Sequence, residues 1–130
     1  MLNEKDSLKE YIDILMDYNN KVNLVSRKIT PGQLDQLLEE TMHLNRYVSN
    51  DIIIDAGSGN GILGIPIALV NKSRSIILVE SKKKKSEFLR EVKKKMELFN
   101  VEIRESSIEE YLERNSEDDG KAKTIIARGF

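Results

Sequence analysis

Ile52-Ile53-Ile54-Asp55-Ala56-Gly57-Ser58-Gly59-Asn60-Gly61 is the stretch that decides the fold. Three consecutive isoleucines suit a parallel strand covered on both faces, since such strands lack the apolar–polar alternation of a half-wet sheet. The glycines that follow permit a sharp turn and a close approach of a ligand to the main chain. Ile62 to Asn71 then reads as a helix, with Pro66 either tolerated in its first turn or kinking it. The next apolar run, Ile76-Ile77-Leu78-Val79, closes on Glu80. That acid falls about twenty residues past the turn, where a ribose hydroxyl would need an acceptor. Strand, glycine turn, helix, strand and acid together describe half of a nucleotide-type cofactor site.

The same rhythm continues downstream. Ser75 to Glu80 reads as strand two, and Ser81 as the cap of a long helix to about Phe99 with the stripe Phe88, Leu89, Val92 and Met96. Val101 to Arg104 reads as strand three, Ile108 to Arg114 as a short helix, Asn115 to Lys123 as a polar loop, and Thr124 to Ala127 as strand four. The alternation predicts an α/β, Rossmann-like sheet of about four parallel strands. Ligands on such sheets sit beyond the carboxyl ends of the strands. Upstream, Leu8, Tyr11, Ile12, Leu15 and Met16 recur at helical spacing and predict a helix from Asp6 to about Tyr18. After the polar connector that begins at Asn19, Thr30 reads as an N-cap with Pro31 at the first helical position, and this second helix runs nearly to Asn50. The expected organisation is a helical N-terminal extension over 1–50 and a partial sheet domain over 51–130.

Composition narrows the function classes. The chain has 130 residues, room for one domain with a modest core. A formal net charge of −1 offers no global basic excess, so any nucleic-acid contact must come from a local patch. No cysteine is present, which closes disulfide, zinc-thiolate and thiol-nucleophile chemistry, and the single His43 makes no metal site. The polar start Met1-Leu2-Asn3-Glu4-Lys5-Asp6 has no apolar h-region, and no apolar run reaches membrane-spanning length. A cytoplasmic protein with no membrane partner is expected. Tyr11, Tyr18, Phe88 and Phe99 are assigned to the core rather than to base stacking.

The glycine spacing discriminates among cofactors. A dinucleotide fingerprint reads G-x-G-x-x-G, because a pyrophosphate must sit on the helix N-terminus. Here Gly57, Gly59 and Gly61 alternate, and Ile62 occupies the place of the third fingerprint glycine. The alternating D-x-G-x-G-x-G resembles the first motif of S-adenosylmethionine (SAM) methyltransferases. Four segments extend the likeness. Tyr18-Asn19-Asn20-Lys21-Val22-Asn23-Leu24-Val25-Ser26, the loop from Ile54 to Pro66, Val79-Glu80-Ser81-Lys82-Lys83-Lys84 with Phe88-Leu89-Arg90, and Ala127-Arg128 resemble segments of the bacterial small-subunit (16S) ribosomal RNA guanine-N7 methyltransferases, the RsmG (GidB) family. The likeness spans nearly the whole chain, although the family's chain is longer. Departures are the missing H-x-x-D-S element where Leu37-Leu38-Glu39-Glu40-Thr41 stands, Leu63 for the loop's first proline, and Ala127-Arg128-Gly129 for Ala-Arg-Ala.

The resemblance implies a class I SAM-methyltransferase sheet, SAM as cofactor, 16S ribosomal RNA in the small ribosomal subunit as partner, and no DNA. It implies cofactor contacts at Asp55, Gly57, Ser58, Gly59, Gly61, Ile62, Glu80, Ser81, Ile108, Glu109 and Arg128. Guanine N7 carries an in-plane lone pair, so placement and water exclusion are expected to suffice, with no dedicated general base. Glu109 reads equally as an exposed first-turn helix acid, Arg128 as a ligand for the cofactor carboxylate or an RNA phosphate, and Asp55 as a loop-orienting group or one that approaches the sulfonium. Lys82 to Lys85, Arg90 and Lys93 to Lys95 read chiefly as a solvated helix face, whereas Lys21, Arg27 and Lys28 are better placed for RNA. Competing readings are a small-molecule methyltransferase, a non-catalytic relative that keeps cofactor or ribosome binding, and an NAD-binding domain, the last weakened by Ile62. Strand four is expected to present an unpaired edge.

Overall fold

A computed structural model describes residues 3–25, 28–48, 51–115 and 123–127. Helices α1 (Glu4–Tyr18) and α2 (Pro31–Asn45) precede an alternating series: β1 (Ile52–Ala56), α3 (Gly64–Val70), β2 (Ser75–Glu80), α4 (Lys83–Met96), β3 (Val101–Glu105), α5 (Ile108–Arg114) and β4 (Lys123–Ala127). The strands form one sheet in the order β3-β2-β1-β4, with every neighbouring pair parallel. The chain therefore winds outward from β1 to β3 and then crosses to the other side of β1. That reversal leaves a crevice at the carboxyl ends of β1 and β4, the usual place for a ligand on an open α/β sheet.

Register explains the distribution of apolar residues. Ile53 aligns with Ile76, and Asp55 with Leu78 and Ile126, so these side chains share one face of the sheet. Ile53, Ile76, Leu78 and Ile126 join one buried cluster with Ile65 and Ile67 of α3, Phe88, Leu89 and Val92 of α4, and Tyr11 and Leu15 of α1. The N-terminal helices thus pack into the same core as the sheet. Among the described residues, the opposite face carries a smaller buried cluster of Ile54, Val79 and Tyr111, flanked by Ile77 and Ile108. Its neighbour on β4, Ile125, is 52% exposed. Both β3 and β4 are edges in the described sheet.

Local chemistry sets the helix ends, and corrects three expectations. Thr30 and Gln33 form a reciprocal capping box, with Pro31 at the first helical position of α2. That helix stops at Asn45 rather than near Asn50, because the Arg74 guanidinium donates to Asn45 Oδ1 and to the Val48 carbonyl and holds the chain in a different path. Ser81 does not cap α4: Lys82 occupies the N-cap with no side-chain bond, and the Lys82 N–H is taken by Glu80. Phe99 is not core but 89% exposed. The cause is Glu97, which adopts a left-handed conformation (φ 52°), with the Leu98 N–H donating back to the Lys93 carbonyl at 3.0 Å. The reversal turns Leu98 inward and Phe99 outward. Tyr11 and Phe88 are fully buried and Tyr18 half-buried, as expected of core aromatics.

Two glycines are required by packing. A Cβ on Gly61 would come within 2.4 Å of Ile65 Cδ1 and 3.0 Å of Leu89 Cδ2, and the residue holds φ 78°. A Cβ on Gly64 would meet Leu78 Cδ2 at 2.4 Å and Asp55 Oδ2 at 3.0 Å, which is how α3 lies so close to β1 and β2. Gly61→Ala combines overpacking with a left-handed backbone and is expected to lower stability by about 2–4 kcal/mol, read as a fall in the urea midpoint at unchanged slope.

Candidate cofactor site

The loop that follows β1 is shaped almost entirely by main-chain donors. Gly57 and Gly59 hold φ 69° and 55°, a region closed to most side-chain-bearing residues. Their conformation turns successive N–H groups toward the end of β2. The Gly57 and Ser58 N–H groups both donate to the Val79 carbonyl, at 2.9 and 3.0 Å. The Gly59 N–H donates to Glu80 Oε1 at 2.8 Å, and the Lys82 N–H to Glu80 Oε2 at 2.8 Å. Glu80 is buried, and its own carbonyl accepts from the Ser106 N–H after β3. An ionised carboxylate offers about four acceptor positions, so Glu80 keeps room for further donors after these two bonds.

Asp55 sits beneath the loop at 1% exposure. Its Oδ2 accepts from the Gly64 N–H at 3.2 Å, and the Ser58 hydroxyl donates to the Asp55 carbonyl at 3.0 Å. Burial raises the Asp55 carboxyl pKa to about 7. The Gly64 N–H and the Ser58 hydroxyl pull it down, and the Glu80 charge pushes it further up. The Tyr11 phenol is likewise raised well above its ordinary value, by burial and then by Asp55.

The N-terminal helices grip the far side of the loop. The Tyr11 hydroxyl donates to the Asn60 carbonyl at 2.6 Å. The Asn60 amide donates to the Leu24 carbonyl at 3.2 Å, and its Oδ1 accepts from the Ile62 N–H at 3.0 Å. The Thr41 hydroxyl points between the Leu37 and Ile62 carbonyls, at 3.0 and 2.9 Å. Asn19 Oδ1 accepts from both the Leu24 and Val25 N–H groups, fixing the connector that carries Leu24.

Between loop, connector and helices lies an open hollow of about 300 Å³, lined by Asp55, Gly57, Ser58, Gly59, Asn60, Ile62 and Lys85, with Leu24, Leu37 and Leu63 at its apolar side. Larger hollows lie beside Phe99, between α1 and α2, and along α2 beside Ile29, but none combines a glycine turn with buried acids. A Cβ on Gly59 would meet nothing nearer than the Gly57 carbonyl at 3.9 Å, so the bare Gly59 backbone keeps the loop open.

The expected site residues separate into groups. Asp55, Gly57, Ser58, Gly59 and Ile62 line the hollow, and Glu80 binds the same loop from β2. Gly61 faces the core. Ser81 is exposed just past β2. Ile108 is half-buried against Ile54 and Val79 under the sheet's second face, and Glu109 is an exposed first-turn acid of α5, whose cap is Ser107. Arg128 and Arg27 lie outside the described residues. Among the basic candidates, Arg90 pairs with Glu105, Lys95 with Glu91, and Lys93 Nζ donates to the Val101 carbonyl. Lys21 stands over the Tyr18 ring, 5.7 Å from its centroid. Tyr11, Thr41, Asn60 and Lys85 were not assigned to the site from sequence. Asn60 lies inside the glycine motif, but the others carry no local signal.

A parallel sheet with its glycine loop and strand-end acid at the switch point defines the Rossmann-like class of SAM methyltransferases. Solved structures agree on the fold: an O-methyltransferase from Bacillus cereus in complex with SAH superposes with a TM-score of 0.65 at 17% identity, covering 91% of this chain and 54% of that one. A putative O-methyltransferase from Klebsiella pneumoniae gives 0.62 at 18% identity, covering 85% and 50%. The family profile for rRNA small subunit methyltransferase G matches residues 4–130, and the chain belongs to that family. Ribosomal RNA small subunit methyltransferase G of Brachyspira hyodysenteriae is 35% identical over 98% of this chain and 60% of its own length. The Nitrosomonas eutropha protein of the same name is 32% identical over 95% and 55%. The chain thus spans somewhat over half the length of these relatives.

Two outcomes follow. Ionised Asp55 is disfavoured in the folded state, and folding stability should fall as pH rises from about 4 to about 7, by roughly 4 kcal/mol in total at about 1.4 kcal/mol per pH unit. Asp55→Asn, which cannot ionise, should therefore raise the melting temperature at pH 8 more than at pH 5. Tyr11→Phe leaves the Asn60 carbonyl without its donor and should cost about 1–3 kcal/mol in urea unfolding.

Proposed function

We propose that this chain binds SAM in the hollow beside the glycine loop and serves methyl transfer to small-subunit ribosomal RNA, with guanine N7 as acceptor. The observation that carries the reading is the Glu80 carboxylate bonded to the N–H of Gly59, a residue that lines that hollow, in a chain of the rRNA small subunit methyltransferase G family. The chemistry of the donor set fits the cofactor. Glu80 retains acceptor positions for a ribose diol, the bare Gly59 backbone admits a ligand, and Lys85 offers a positive charge to the carboxylate of an amino-acid moiety. Bound SAM would supply an electrophilic methyl on a sulfonium.

The protein's part is placement. Leu24, Leu37, Ile62 and Leu63 exclude water from one side, and the loop fixes the ligand's position through main-chain geometry. No proton has to leave guanine N7 before attack, so no general base is assigned. Lys82, Lys83 and Lys84 are exposed at the start of α4, and Lys21 is exposed on the connector whose Leu24 lines the hollow. Of these, Lys21 is the group we assign to the RNA backbone, and the exposed lysines of α4 form a solvated helix face. Arg128 is kept as a candidate for the cofactor carboxylate or an RNA phosphate, and Ile108 and Glu109 as candidates for the adenine side. No described helix is long and apolar enough to cross a membrane; a cytoplasmic location fits the proposed substrate.

Calorimetry with SAM and with NAD tests the cofactor. SAM alone should bind, and Glu80→Ala should weaken it at least tenfold, since a charge-assisted acceptor is worth about 1.5–3 kcal/mol. Transfer of labelled methyl from SAM to undermethylated small-subunit RNA tests the reaction. Binding of NAD in place of SAM would reject the proposal.

A further inference from the structure

Asp55 is an acid with an unusual setting. It is almost wholly removed from water, yet the residue is among those that line the hollow. One oxygen accepts a long bond from the Gly64 N–H, the Ser58 hydroxyl also favours the charged form, and no ion pair among the described residues involves it. Three of the packed elements bring titratable groups to it. From β2, Glu80 adds a second carboxylate, and from α1 comes the Tyr11 phenol. From α4, Lys85 lines the same hollow without forming a salt bridge to Asp55. Helix α3 carries no ionisable side chain, and α2 contributes the apolar Leu37. A buried carboxylate without a fixed cation is costly to ionise unless a positive charge is brought to it.

We infer that Asp55 distinguishes the methyl-loaded cofactor from the spent one by charge, ionising when a sulfonium enters the hollow and staying protonated when the neutral thioether is bound. The inference rests on the reading of the hollow as the SAM site. The two forms share the same amino and carboxylate groups, so a response confined to SAM isolates the sulfonium. The balance is simple: Asp55–OH plus the cationic ligand gives the carboxylate–sulfonium pair and one proton to solvent. After the methyl leaves, the carboxyl recovers a proton from solvent and the pairing that favoured retention is gone. Asp55 acts as a specificity-determining group, favouring the fresh cofactor over the product. The raised carboxyl, near 7, puts this exchange in the physiological range.

The test needs only the native chain, SAM and S-adenosylhomocysteine. Titration calorimetry at pH 6.5 in two buffers of different ionisation enthalpy should report proton release with SAM and none with S-adenosylhomocysteine. SAM affinity should rise about tenfold between pH 6 and 8, following the ionised fraction of a group near 7, while S-adenosylhomocysteine affinity stays flat. Asp55→Asn should abolish the proton release and bring the two affinities together. Equal proton release by both ligands would mean that Asp55 pairs with their shared ammonium, and would overturn the inference. SAM binding without proton release would overturn it too, leaving the proposed function intact. Failure of SAM to bind at any pH would remove both.

Discussion

One carboxylate holds the upper edge of this fold together. Glu80 reaches from the end of β2 and accepts from peptide groups on two different loops, Gly59 after β1 and Lys82 before α4. Charge-assisted bonds of this kind are about twice as strong as neutral ones, and they compensate the burial of the acid. They also fix distance. With Gly57 and Ser58 bonded to the Val79 carbonyl and Gly59 to the Glu80 carboxylate, the glycine loop cannot drift from β2 without giving up three hydrogen bonds or breaking the turn. The hollow exists because that loop is held in a bent conformation that only glycine adopts cheaply at its critical positions.

The loop is supported from the other side by elements that do not belong to the sheet. Tyr11, Leu24 and Thr41 bond to Asn60 and Ile62, and their helices share the buried cluster that underlies α3 and α4. The N-terminal extension is therefore part of the wall that positions the site. Asp55 lies at the meeting point of both supports, under the loop and beside Tyr11, which accounts for its exclusion from water and its weak acidity.

Much of this was legible in the chain. The isoleucine run, the alternating glycines and the acid after the next apolar run placed β1, the loop and Glu80, because each depends on a local backbone requirement. The Thr30–Pro31 start of α2 was readable for the same reason. What the chain did not disclose depends on distant partners. The end of α2 is set by Arg74, 29 residues beyond Asn45, and the fate of Phe99 by a left-handed Glu97 that carries no glycine to announce it. The spacing of the glycines likewise does not tell a residue that opens a hollow, Gly59, from one that lets a helix touch a strand, Gly64. Tyr11 looked like an ordinary core aromatic; its hydroxyl acquires meaning only once Asn60 is brought to it.

The separation of those partners bears on biogenesis. The Tyr11 hydroxyl and its acceptor are 49 residues apart, the Asn60 amide and the Leu24 carbonyl 36. As the polypeptide leaves the ribosome, α1 and the connector emerge before the turn they clasp, and Glu80 emerges after it. Helices can form on their own early, whereas long-range closures come late and slowly. The glycine bend should be among the last features of the nascent chain to mature, so that ligand-binding competence would mark the completion of folding.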